Sequence, residues 1–178
     1  MTEDFSTSSV PGDDRDDFPS QGRLAAIDYG TVRIGIAICD PGRILVSPWE
    51  VYLRRNQQRD GEYFQNLAKD ERVDGFVVGL PIHCDGGESQ KSEEARQFAT
   101  WLAKLTNLPV RLFDERFSTA QAKRRLKKTK LTRQGRKQRL DAVAAQILLE
   151  AFLEVQQYTG QIPGESAGSP PAEGLGLD

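Results

Sequence analysis

The sequence has little of what several enzyme classes use for catalysis. Its 178 residues include two cysteines and one histidine. Cys39 and Cys84 are far apart and lack metal-ligand spacing, which predicts two reduced thiols rather than a zinc site. His83 is expected at the surface, as a lone loop histidine usually is. Walker A, dinucleotide-binding and HExxH patterns are also missing, which argues against the enzymes that depend on them.

Long apolar runs are missing as well. No N-terminal apolar stretch resembles a signal peptide, and no run approaches the roughly 20 residues that cross a bilayer. These absences predict a soluble, cytoplasmic protein. The sequence also lacks internal repeats, and its length fits one domain of ordinary size.

The two ends of the chain differ in composition from its middle. Residues 1–21 carry six acidic residues and one arginine, and residues 160–178 are rich in Gly, Pro and Ser. Such segments bury too little apolar surface to offset their ordering entropy, so both are predicted to be disordered tails around a domain at 22–159. Taking the tails' charges of −5 and −3 away from the net charge of −2 leaves +6 on the domain. A basic domain attracts phosphates.

Apolar patterning in the middle predicts an α/β fold. Short apolar runs indicate an antiparallel meander of three strands, at 24–29, 33–39 and 44–53. Pro48 in the third strand indicates an edge position or a bulge. Alternating helices and strands are predicted next, at 62–69, 75–79, 93–105 and 110–114, then a helix from residue 118 or 119 through 126 and a last helix from about 137 to 156. This gives a mixed five-stranded sheet with two βα crossovers and flanking helices, an order that the RNase H-like fold shares.

Acidic residues stand where this arrangement would bring them together. Asp28 ends the first strand, and Asp141 lies in the first turns of the last helix. Asp114 and Glu115 end the last strand; adjacent strand residues point to opposite faces, so only one of them can face Asp28. Taken singly, each acid has a simpler role in capping a turn or complementing a helix dipole.

A cluster of these carboxylates would need a cation. Carboxylates a few ångströms apart repel one another, and a divalent ion removes that penalty. Mg²⁺ and Mn²⁺ prefer oxygen ligands, and such ions activate water for phosphodiester hydrolysis. The acids therefore predict a metal-dependent nuclease site.

A dense run of positive charge precedes Asp141. Ten lysines and arginines, with no acidic residue among them, lie in residues 123–139, which we call the basic strip. A run of this kind is often a solvated helix face. Beside an acidic cluster it predicts contact with a nucleic-acid backbone, and the absence of aromatic residues argues against base stacking there. The predicted nucleic-acid contacts are Arg33, Arg116, Lys123, Arg124, Lys127, Lys128, Lys130 and Arg136.

Four motifs occur in one order along the domain. They are Asp28-Tyr29-Gly30-Thr31 with Arg33-Ile34-Gly35-Ile36-Ala37, Gly79-Leu80-Pro81 with Asp85-Gly86, Asp114-Glu115-Arg116-Phe117-Ser118-Thr119, and Asp141-Ala142-Val143-Ala144-Ala145. Over about 22–157 the chain thereby resembles the YqgF family, pre-16S rRNA nucleases related to Holliday-junction resolvases.

The resemblance implies an RNase H-like fold and trimming of the 5′ end of precursor 16S rRNA during ribosome maturation, on pre-ribosomal particles or other structured RNA. It assigns catalysis and Mg²⁺ or Mn²⁺ binding to Asp28, Glu115 and Asp141. Val32 stands where the family often has lysine, and Gly87 and Ser89 depart from the usual residues after Asp85-Gly86.

Three other functions share part of this pattern. A DNA junction resolvase would use the same acids on a different substrate. A non-catalytic RNA-binding module would gain nothing from clustered anions. An actin-like ATPase or sugar kinase also opens with Asp-x-Gly-Thr, but it needs two such domains and this chain has room for one.

Overall fold

The computed structural model describes residues 17–117 and 133–167, with side chains of the last helix described from residue 140. The elements, in chain order, are β1 (Arg23–Asp28), β2 (Arg33–Cys39), β3 (Val46–Leu53), α1 (Gln57–Asp70), β4 (Val73–Leu80), α2 (Gln90–Thr106), β5 (Val110–Asp114), a 3-10 turn (Glu115–Phe117), α3 (Arg133–Thr159) and β6 (Glu165–Ser166). The predicted helix from residue 118 or 119 lies outside the described residues.

The strands form one mixed sheet in the order β3-β2-β1-β4-β5-β6. β1 pairs antiparallel with β2 and parallel with β4, and β4 pairs parallel with β5. These inner strands are continuous apolar runs because helices cover both faces of the sheet. The predicted mixed sheet is confirmed, but the count of five strands is wrong by one.

Pro48 lies in an edge strand, as the sequence predicted. The pairing of β2 with β3 also shifts register between Ile36 and Ala37, and Ala37 is the residue opposite Pro48. Because proline has no backbone N–H to donate to the hydrogen bonds between strands, it is tolerated at an edge strand and at a register shift.

Alternating residues of β1 face two different hydrophobic cores. Ala25 and Ile27 belong to the core shared with α1 and α2. Leu24 and Ala26 belong to the core shared with α3. Successive side chains of a strand point to opposite faces, so the position of Asp28 is on the α3 side.

Short pieces of both predicted tails pack on the domain. Phe18 is buried, and its ring meets Phe152 of α3 edge-on at 5.7 Å between centroids. β6 pairs with β5, and its Glu165 forms a 2.7 Å ion pair with Arg96 of α2. The contacts of β6 with β5 and α2 explain the sixth strand. Disorder in the rest of the tails remains a prediction. Within the described residues, none of the helices is both long enough and apolar enough to cross a membrane.

Candidate active site

Asp28 lies at the carboxyl end of the central strand β1. It pairs with Gly35 of β2, and its neighbour Ile27 pairs with Val78 of β4. The four residues before it in β1 are fully buried, whereas Asp28 is partly accessible. The sheet thus brings one carboxylate to an edge with apolar walls behind it.

Glu115 reaches the same side of the sheet from the end of β5. Phe113, two residues earlier, belongs to the core under α3. A Cβ built on Gly79 of the neighbouring strand would lie 2.6 Å from Glu115 Oε1, so the carboxylate lies directly over this glycine. Gly79 therefore gives Glu115 room beside Asp28.

Asp114 has a different environment from Glu115. Leu112, two residues before it, belongs to the opposite core, under α1 and α2. The Asp114 carboxylate accepts hydrogen bonds from Arg116 Nε at 2.8 Å and Arg116 Nη2 at 2.6 Å. Of the two adjacent acids, Glu115 is the one that the structure places on the side of Asp28.

Helix α3 brings Asp141 against strand β2. A Cβ on Gly35 would lie 2.0 Å from the carbonyl oxygen of Asp141, which means that helix and strand touch backbone to backbone. The Asp141 carboxylate forms a 3.3 Å ion pair with Arg33 Nε, and both side chains are about one-third exposed. Since Gly35 is the strand partner of Asp28, this contact places Asp141 next to Asp28.

The pKa values reflect this crowding of negative charge. Burial first, and then the charges of Glu115 and Asp141, raise the pKa of Asp28 from 3.8 to about 7. Burial and the charge of Asp114 also raise the pKa of Glu115, while Lys91 opposes the rise.

The three acids suit a divalent cation in their chemistry. Hard carboxylate oxygens from three elements converge on one edge of the sheet, and a cation would relieve their repulsion. In the part of the chain that the structure describes, however, no group of three His, Cys, Asp or Glu side chains is arranged closely enough to hold an ion. Asp141 instead faces Arg33. The three carboxylates therefore fit a divalent metal in their chemistry, but their present side-chain positions do not form a complete coordination site.

The predicted nucleic-acid contacts fall into two groups. Arg33 lies at the acidic cluster, and Arg116 is exposed beside Asp114. The other six predicted contacts belong to the basic strip, and their side chains lie outside those that the structure describes. The prediction for the strip therefore stands untested.

The loop after β4 carries the remaining polar motif. His83 and Cys84 are both exposed, as expected for the histidine, and Asp85 Oδ1 accepts a 2.8 Å hydrogen bond from Gly87 N. Glu88 pairs with Arg96, which fixes the end of the loop on α2.

Sequence reasoning did not identify the roles of Gly35 and Gly79. Each glycine stands in an apolar strand run, where a missing side chain signals close approach of another group. That signal was available in the sequence, but the identity of the approaching group was not.

Comparisons with known proteins identify relatives of this chain. The family described as "RuvX: Holliday junction resolvase" matches residues 22–155. A Rhodopirellula baltica protein named "Putative pre-16S rRNA nuclease" is 59% identical over 149 residues, covering 84% of this chain and 86% of that protein. A Koribacter versatilis protein of the same name is 38% identical over 133 residues, covering 75% and 87%.

A solved structure confirms the fold class. T. thermophilus RuvC in complex with a Holliday junction substrate superposes with a TM-score of 0.55 at 13% identity, covering 81% of this chain and 99% of that one. At this identity the likeness concerns the fold alone, and the fold is the RNase H-like one that the strand order predicted.

Proposed function

Since the chain belongs to the RuvX family, the YqgF family that its motifs resemble, we propose that it is a metal-dependent nuclease that hydrolyses phosphodiester bonds of precursor 16S rRNA. The observation that carries the proposal is the convergence of Asp28, Glu115 and Asp141 on the α3 side of the sheet. Burial, and then the charges of the other two acids, raise the pKa of Asp28 to about 7. The names of the relatives support the substrate. Action in the cytoplasm, on pre-ribosomal particles, belongs to the same proposal.

The chain's own residues would hold and orient the reacting groups. Asp28, Glu115 and Asp141 would bind Mg²⁺ or Mn²⁺, which when bound neutralises charge at the scissile phosphate and activates water. The rigid sheet fixes Asp28, and the glycine beneath Glu115 lets that carboxylate lie flat against the strand. Such fixed placement lowers the barrier by avoiding reorganisation during the reaction.

Arg33 adds a positive charge at the edge of the acidic cluster. Its ion pair with Asp141 holds that carboxylate near the sheet. The same guanidinium would also offer hydrogen bonds to a phosphate oxygen of the substrate, since arginine binds phosphate with two parallel hydrogen bonds. The basic strip, and Arg116 in the exposed turn after β5, would bind the flanking nucleic-acid backbone.

A cleavage assay with matched variants tests the proposal. Structured RNA that carries the 5′ precursor region of 16S rRNA should be cut by the full chain with Mg²⁺ or Mn²⁺, and EDTA should stop the reaction. Asp28→Asn should lose cleavage, whereas Asp17→Asn, the same change at an exposed aspartate, should keep it. Cleavage that persists in EDTA, or that Asp28→Asn leaves intact, would contradict the proposal.

A four-way DNA junction is the substrate of the second candidate function. The family description favours it as a specific alternative. A junction resolvase would use the same acids, so the variants do not distinguish the two functions. A comparison of the two substrates does. Preferential cutting of the DNA junction over precursor rRNA, in the same buffer, would assign the chain to resolution. RNA binding without any cleavage would indicate a non-catalytic module.

A further inference from the structure

A groove lies on the side of the sheet opposite to α3, lined by α1, α2 and the β1–β2 turn. It contains two cavities of about 610 and 650 Å³ between α1 and α2. Three residues, Asn56, Gln57 and Trp101, line both cavities, so they form one continuous groove with Trp101 in its middle. Each cavity has the size of ordinary small-ligand sites.

The groove begins beside the proposed catalytic centre. Tyr29 and Thr31, in the β1–β2 turn, line its first cavity. Tyr29 directly follows Asp28, and consecutive strand residues point to opposite faces. A nucleic-acid strand held at Asp28 therefore needs to cross only this short turn to enter the groove.

A buried ionic network holds the mouth of the groove in place. Asp60 is 2% exposed and accepts hydrogen bonds from Tyr52 Oη at 2.8 Å and Arg54 Nε at 3.2 Å. Burial alone would raise the pKa of Asp60, but these bonds and one from the Arg55 amide lower it below its ordinary value. Arg54 in turn donates to Tyr29 Oη at 2.9 Å and lies over the Tyr29 ring. The proposed catalytic chemistry has no use for this network.

The lining of the groove suits a nucleobase better than a phosphate chain. The first cavity is lined by two arginines and two carboxylates, whose charges balance, and by amides that can pair with base edges. The ring of Tyr29 already contacts the Phe98 ring and the Arg54 guanidinium. Trp101 is only partly buried, with its ring against Phe98, and it faces both cavities. Every base has a π-face, so the part of the indole that lines the cavities offers a surface for stacking.

We infer that this groove binds unpaired nucleotides of the substrate strand next to the cut, with a base stacked on Trp101. The inference rests on the proposed nuclease function and adds a subsite to it. A base can enter only if it is unpaired, so the groove would select cleavage positions beside single-stranded segments. Stacking of one base contributes a factor of about five or more to affinity.

Tryptophan fluorescence gives a direct readout. The chain has two tryptophans, and Trp49 lies 47% exposed on the edge strand β3, outside the groove. Trp49→Phe leaves Trp101 as the single tryptophan, whose emission is excited apart from that of the tyrosines. In EDTA, where cleavage is blocked, a ten-nucleotide single-stranded RNA should quench its emission, whereas a fully paired RNA duplex of the same sequence should not.

A matched pair of variants gives the second measurement. Trp101→Leu should weaken binding of the single strand about fivefold or more, and Trp49→Leu should leave it unchanged. The inference would be overturned if the single strand and the duplex quench the Trp101 emission equally, or if neither quenches it, even if the chain cleaves rRNA. Quenching by the single strand alone would uphold the subsite even if precursor rRNA proves to be the wrong substrate.

Discussion

Replacing Asp28 by Asn should stabilise the metal-free protein at alkaline pH. Folding raises the pKa of this carboxyl from 3.8 to about 7, so the folded state binds its proton more tightly than the unfolded state does. The wild type therefore loses stability as the pH rises from about 4 to about 7, and the loss is complete above pH 7. A shift of this size corresponds to about 4 kcal/mol, of which about 2 to 3 kcal/mol falls between pH 5 and pH 8. Asn does not ionise, so the variant avoids this loss.

Urea unfolding in EDTA at pH 5 and pH 8 measures the effect. The free-energy advantage of Asp28→Asn over wild type should grow by about 2 kcal/mol or more between these two pH values. Asp17→Asn, at an exposed position, is the control and should show no such growth. If the advantage of Asp28→Asn is the same at both pH values, Asp28 is not a crowded buried carboxylate and the reasoning fails.

Three further predictions concern the packing of α3, the choice of acid and the basic strip. Gly35→Ala should lower the free energy of unfolding by about 1 to 3 kcal/mol and the cleavage rate about 100-fold, because the added methyl group collides with the Asp141 carbonyl and displaces the helix. Urea unfolding and single-turnover cleavage measure the two effects. Glu115→Gln should abolish cleavage without unfolding the protein, whereas Asp114→Asn should keep cleavage. Circular dichroism checks the fold and the cleavage assay checks activity; an inactive Asp114→Asn with an active Glu115→Gln would contradict the assignment. Three lysines of the basic strip, Lys127, Lys128 and Lys130, are replaced together by Gln. The slope of log affinity against log salt should fall by about two to three units in filter binding. An unchanged slope would identify the strip as a solvated surface.

Elements with their own apolar pattern could be predicted from the sequence, and elements defined by a partner could not. β5 was predicted at its observed limits because Val110, Leu112 and Phe113 give a short, mainly apolar segment after a proline. β6 has two polar residues and exists only through its pairing with β5. Helix α1 begins at Gln57, five residues before the predicted start, because the Asn56 side chain caps a polar first turn that has no apolar signal.

The candidate site shows the same division. Strand ends and a helix start predicted which acids could meet, and the structure places Asp28, Glu115 and Asp141 on one side of the sheet. Strand alternation alone did not choose between Asp114 and Glu115, since that choice depends on which core lies under α3. The Arg33–Asp141 ion pair is a contact between residues far apart in the chain, and no local pattern predicts its partners.

Calorimetric titration of Mn²⁺ tests the central claim most directly, because it asks whether the three carboxylates bind a cation without requiring knowledge of the substrate. The wild-type chain should bind Mn²⁺, Asp28→Asn should bind it at least tenfold more weakly, and Asp114→Asn should resemble the wild type. Equal binding by wild type and Asp28→Asn would contradict a metal site at the junction of β1, β5 and α3.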